Sequence, residues 1–217
     1  MSGPLYWIWG AGPKMPSAKR EAERILGVPS GLIDEGWRQH RAGTSKDPPI
    51  TDLAVDAVKR LRERAKSAPV PSLFFGARNL REMCGGLVAR TRERGQLASK
   101  VVFEDHGLAG LGAQPEAMLF FGQDAVSMRT LPRHRQALET LRGALAPDAA
   151  IYMIHCLAAA DGGRLIQAIS RIVGVPVYGA DALQIVENQA LEGSGYRADA
   201  SSIRLVPSFP RAVLHFD

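Results

Sequence analysis

The chain predicts an α/β protein with a mostly parallel central sheet and helices on both faces. Between residues 70 and 180, apolar runs of strand length alternate with segments of helical period. The 217 residues are 46% apolar and 23% charged, which is a globular composition with enough chain for a real core. No apolar run approaches the roughly 20 residues that a membrane helix requires.

Taken in order, Leu5 to Trp9 reads as a strand broken at Gly10-Ala11-Gly12-Pro13. Ser17 is placed to cap a short helix carrying Ala18, Ala22, Ile25 and Leu26, stopped by Gly27 and Pro29. Residues 27–50 read as a long surface connection, and a helix is expected from Thr51 or Asp52, with Leu53, Ala57, Val58 and Leu61 on one side. Ser72 to Gly76 is a buried strand. Asn79 and Glu82 make an N-x-x-E helix start, followed by a stripe of Leu80, Met83, Leu87 and Val88 that runs to about Gly95. Cys84 lies on or beside that stripe and reads as a packed thiol. Lys100 to Asp105 is a strand running into His106-Gly107, and residues 108–117 read as loop.

Met118 to Gly122 is a short strand, and Arg133 to Leu145 a helix with Ala137, Leu138, Leu141 and Leu145 inward. Ala149 to Ile154 is a strand running into His155-Cys156. Gly162-Gly163 precede a helix bearing Leu165, Ile166, Ile169 and Ile172, which Gly174 ends. Val175 to Tyr178 is a further strand, followed by Gly179-Ala180-Asp181. Two more strands are expected, Ile203 to Val206 and Ala212 to Phe216, while residues 182–201 fit helix or loop equally. The organisation that follows is a basic N-terminal segment, 1–70, and a core, 71–217. The segment is either part of the same domain or a pro-segment or lid.

Charge and cysteine usage bound the function. The formal net charge is +5, but residues 1–100 hold 18 Lys/Arg against 10 Asp/Glu, and residues 101–217 hold 9 against 12. The basic excess falls on polar helix faces with few aromatics between them, so it reads as solvated surface and not as a nucleic-acid site. Gly10-Ala11-Gly12-Pro13-Lys14 lacks a full phosphate-loop pattern, and Pro13 removes an N–H that a phosphate would need. Cys84 and Cys156 read as reduced thiols, and two Cys with five scattered His give no paired zinc-ligand spacing. No cofactor and no metal are expected. The N-terminal apolar run is too short for a secretory h-region, so the expected location is the cytoplasm, or outside the cell by a signal-independent route.

Chemistry in an open α/β sheet collects at the carboxyl ends of strands. Two strands here end in loaded residues, one in His106-Gly107 and one in His155-Cys156. A thiol with a base beside it is the requirement for nucleophilic cysteine catalysis. The pair is 50 positions apart, enough for a hairpin, a crossover helix and a return strand. Glycine after the histidine leaves a backbone N–H open to a substrate carbonyl. Asp105 and His155 alternate away from the pair, so Asp105 is not expected to orient His106, and His155 is expected to pack.

The run Val101-Val102-Phe103-Glu104-Asp105-His106-Gly107, followed by Ile151-Tyr152-Met153-Ile154-His155-Cys156, resembles the caspase–gingipain–separase group of cysteine peptidases (clan CD). The stretch from Cys156 through Ala158-Ala159-Ala160-Asp161-Gly162-Gly163-Arg164 into a helix and Val173-Gly174-Val175-Pro176-Val177 is most similar to bacterial CHAT-type domains. The resemblance covers about residues 70–182. Where a caspase carries Gln-Ala before its cysteine, this chain has Ile154-His155, so aspartate specificity does not carry over.

The resemblance implies a three-layer caspase-like fold and a cysteine endopeptidase acting on a protein or peptide. It implies Cys156 as nucleophile, His106 as general base and acid, and the Gly107 and Cys156 N–H groups as oxyanion hole. It places the P1 pocket beside the cysteine strand, where Asp181, and secondly Asp161, would receive a basic side chain. Helix N-capping is the competing role for both aspartates. The resemblance further implies a protein partner that activates or inhibits. The alternative function is a catalytically inactive domain of the same fold used for binding or regulation.

Overall fold

Strand β1 (Leu5–Gly10) buries Leu5, Tyr6, Trp7 and Ile8 on alternating faces, the signature of an interior strand covered on both sides. The structure, a computed structural model, describes residues 3–11, 14–30, 72–113, 115–182 and 194–206. Within these, β1 leads to α1 (Pro16–Leu26), followed by β2 (Ser72–Ala77), α2 (Leu80–Arg94) and β3 (Ala98–Glu104). Three short strands come next, β4 (Gly107–Ala109), β5 (Ala117–Phe121) and β6 (Asp124–Ser127). Then come α3 (Leu131–Glu139), a 3-10 turn (Thr140–Gly143), β7 (Leu145–Ile154), α4 (Arg164–Val173), β8 (Val177–Ala180), β9 (Gly195–Ala198) and β10 (Ile203–Val206).

The fold is α/β around a mostly parallel seven-stranded sheet of order β10-β9-β8-β7-β3-β1-β2. The pairs β1/β2, β1/β3, β3/β7 and β7/β8 are parallel, and β9 and β10 close one edge antiparallel. One face of the sheet carries Tyr6, Ile8, Val101, Phe103, Ile151 and Met153 and packs with α2, α3 and α4 into the main core. The other face gathers Leu5, Trp7, Val102, Tyr152, Ile154 and Ala180, all buried. A separate antiparallel sheet, β4-β5-β6, branches off directly after β3. Helix α1 seals it by packing Ala18, Ala22 and Ile25 on Met118, Phe120 and Ala125.

The expected helix starts are partly redrawn. At α2, Asn79 accepts from the Glu82 amide at 2.9 Å, the capping bond that the N-x-x-E pattern predicts. Glu82 reaches back one residue further than a capping box, accepting from the amide of Arg78 at 3.0 Å. At α1 the N-cap is Met15 with Pro16 just inside, so Ser17 falls within the first turn and caps nothing. The expected helix 133–145 is α3 plus the 3-10 turn, and β7 already begins at Leu145.

Residues 108–117, expected as loop, contribute most of β4 and the start of β5, and β9 lies in the stretch that fitted helix or loop. Strand β1, in the N-terminal segment, is paired on both sides within the sheet. The helix expected from Thr51 or Asp52 and the strand expected at Ala212 lie outside the described residues. Among the described residues no helix is long and apolar enough to cross a membrane.

Candidate active site

Strands β3 and β7 are parallel neighbours with Glu104 opposite Ile154. Two residues further along each strand stand His106 and Cys156, so the two side chains that the sequence singles out leave adjacent strand ends at the same level. Both are half-buried. Gly107 then starts β4, and a Cβ built on it would collide with the carbonyl oxygen of Cys156 and lie 3.1 Å from the Cβ of His155. Only glycine permits that approach. The backbones after the two strands are therefore in contact, not merely near.

A carboxylate fixes the histidine's backbone. Asp105 is buried and accepts from the His106 amide at 2.7 Å and the Gly122 amide at 2.6 Å. The ammonium of Lys14, which is itself buried, donates to both oxygens at 2.7 and 2.9 Å. The segment before α1, the end of β3 and the β5–β6 turn are thus pinned at one carboxylate. Gly122 turns there at φ 59°, a left-handed conformation suited to glycine, and a Cβ on it would run into the Arg78 carbonyl. Alternation along β3 argued against Asp105 orienting the His106 ring. Alternation says nothing of backbone amides, and it is the amide that Asp105 holds.

Phe120 on β5 ties the two strand ends from a third side. Its N–H donates to the His106 carbonyl at 2.8 Å, and its carbonyl accepts from His155 Nε2 at 2.8 Å. Lys14 sits 4.7 Å from the centre of its ring. His155 is fully buried, and burial pushes its imidazole down to about 4, against the opposing pull of Asp105. A neutral ring donating from Nε2 is a packed, structural histidine, as alternation predicts.

The turn after β7 carries backbone strain. Leu157 adopts φ 57°, and it is the sole non-glycine residue with positive φ among the described residues. Its N–H donates to Ala182 at 2.9 Å, and that of Ala159 to Ala180 at 2.8 Å. These bonds lay the Cys156 turn against the end of β8, which brings Asp181 to the same end of the sheet. Asp181 accepts from the Ser194 amide at 2.8 Å and from the Tyr196 hydroxyl at 3.3 Å.

Asp161 is turned inward instead. Its two oxygens accept from the Gly163 amide at 3.0 Å and the Leu165 amide at 2.9 Å at the start of α4. Burial raises its carboxyl, and these amides oppose the rise. Both oxygens are committed to a helix end.

One group near the pair was invisible to motif reading. Glu104 is buried, accepts from Trp7 Nε1 at 2.6 Å, and is pushed up to about 8 by desolvation. It stands two residues before His106 on β3. Cys84, the other thiol, is buried against α2's core partners, where burial pushes it up to about 12. Among the described residues no three His, Cys, Asp or Glu side chains cluster as metal ligands. What the arrangement offers is a half-buried thiol and an imidazole on neighbouring strand ends, a glycine N–H beside them, and a carboxylate at the next strand end. No family model matches the chain, and no curated protein matches it.

Proposed function

We propose that the protein is a cysteine endopeptidase with a caspase-like, three-layer fold that works through a His106/Cys156 dyad. The observation that carries this reading is the parallel β3/β7 pairing, which sets the two residues on adjacent strand ends with Gly107 against the Cys156 backbone. In the reaction, His106 takes the Cys156 proton and the thiolate attacks the scissile carbonyl. The oxyanion collects on the N–H groups of Gly107 and Cys156. Collapse breaks the C–N bond, His106 delivers the proton to the leaving amine, and a thioester acyl-enzyme remains. Water, deprotonated by His106, then cleaves the C–S bond, releasing the acid and restoring the thiol. Asp181 is assigned to a basic P1 side chain. Asp161 is the weaker candidate, because it is buried with both oxygens on the α4 amides, whereas Asp181 is only half-buried.

Site-resolved alkylation by iodoacetamide at neutral pH tests the dyad. Cys156 is expected to react at least about ten-fold faster than the buried Cys84, and to slow by about ten-fold or more in His106→Ala. Peptides scanned at P1 should be cut after Arg or Lys, with the preference lost in Asp181→Asn. If Cys156 is no more reactive than Cys84 and indifferent to His106, the fold is a silent binding domain and the peptidase reading falls.

A further inference from the structure

Away from the strand ends, helices α1 and α3 and strand β6 enclose a cavity of about 360 Å³, within the size range of small-molecule sites. Arg20 and Arg24, one helical turn apart on α1, line it together with Arg133 in the first turn of α3 and Arg129 in the turn before that helix. Like charges four residues apart on a helix destabilise it. Arg20 and Arg24 make one such pair, and with Arg129 and Arg133 the concavity is lined by four guanidinium groups against two carboxylates.

Two carboxylates also line the cavity, and both are engaged. Glu21 accepts from Arg24 at 2.8 Å and from the Ser127 hydroxyl at 2.7 Å, and Asp124 accepts from the Leu80 amide at 3.1 Å. Arg24 is further held by Glu116 at 2.9 Å. Arg129 approaches Glu21 only at 3.7 Å and remains largely exposed. Arg20 and Arg133 form no ion pair among the described residues. Burial keeps the His134 imidazole on the wall below its ordinary value, although Asp124 pulls the other way.

We infer that this cavity binds a small polyanion carrying at least two phosphate or carboxylate groups. Arg20 would reach it from the α1 wall, with Arg133 reaching it from α3 and Arg129 from the turn before that helix. Two anionic groups suit the layout: Arg20 stands on the α1 wall and Arg133 on the α3 wall, and neither is in an ion pair among the described residues. Planar guanidinium suits either oxyanion bidentately, which lysine would not. The inference is independent of the peptidase reading, because it concerns binding alone.

Isothermal titration of the full chain at low ionic strength, with sodium pyrophosphate and separately with citrate, tests it. Saturable binding of either probe is expected, weakened roughly ten-fold by Arg20→Ala and by Arg133→Ala. Arg133→Lys should fall between wild type and Arg133→Ala. Arg92→Ala, an exposed arginine in the last turn of α2, should leave affinity unchanged within about two-fold. Pyrophosphate alone would identify phosphate recognition, and citrate alone carboxylate recognition. No saturable binding of either probe overturns the inference, as does equal weakening by Arg92→Ala, which would reduce the effect to general surface charge.

Discussion

Asp105 shows how one residue sets the site without belonging to the dyad. Its carboxylate takes two amides and an ammonium in a buried position, where opposite charge and hydrogen bonds offset the cost of desolvation. Asp105→Asn would take from the buried Lys14 ammonium the carboxylate that accepts both of its hydrogen bonds to Asp105 and replace one acceptor oxygen by a donor. The expected cost is about 3 kcal/mol of unfolding free energy, read from urea denaturation. Lys14→Met should cost less, since Asp105 keeps its two amide donors. At this scale the sequence displays residue types but not partners. Lys14 and Asp105 are 91 positions apart, and no pattern in either segment pairs them.

Among the elements, α2 is the one most fully written in its own residues. Its cap, its apolar stripe and its closing Gly95 are all local, and the helix forms where they indicate. Asn79→Ala should therefore cost about 1 kcal/mol, seen as a lower denaturant midpoint with an unchanged slope. Strands β4, β6 and β9 are the opposite case. They have three or four residues each, they include Gly107, Gly195 and small side chains of poor strand propensity, and they exist because a neighbour supplies a ladder. Gly107 opposes Leu119, and Gly195 opposes both Ala180 and Val206. Short strands of this kind leave no alternation to read, which is why the first and last were expected as loop or left open.

For the molecule as a whole, two buried titrating groups pull stability in opposite directions with pH. Glu104 titrates near 8 when folded and near 4.5 when unfolded. The folded state thus holds a proton that the unfolded state loses, and stability falls as pH rises between those values. His155 titrates near 4 when folded and 6.5 when unfolded. Here the unfolded state gains the proton first, so stability falls as pH drops through that window, by a total on the order of 3 kcal/mol. The two slopes oppose each other between 4.5 and 6.5, and above 6.5 the Glu104 slope acts alone. Glu104→Gln mimics the protonated acid at every pH. Its melting temperature should match wild type near pH 4, below the unfolded-state value, and exceed it increasingly toward pH 8. A difference that stays constant with pH would show that Glu104 is not the group responsible.

By itself the sequence determined the α/β class, the parallel alternation through residues 70–180, the start and stripe of α2, and the two strands that end in His106 and Cys156. Those features depend on spacing within one segment, where periodicity and capping chemistry act. Only the tertiary structure decided that β3 and β7 are neighbours, that Gly107 rests on the Cys156 backbone, and that Asp105 meets Lys14 and the Gly122 amide. It also gathered arginines from α1, from α3 and from the turn before α3 around one cavity. Strand order and burial are set by how distant segments share a core, and that free energy belongs to no single stretch of chain.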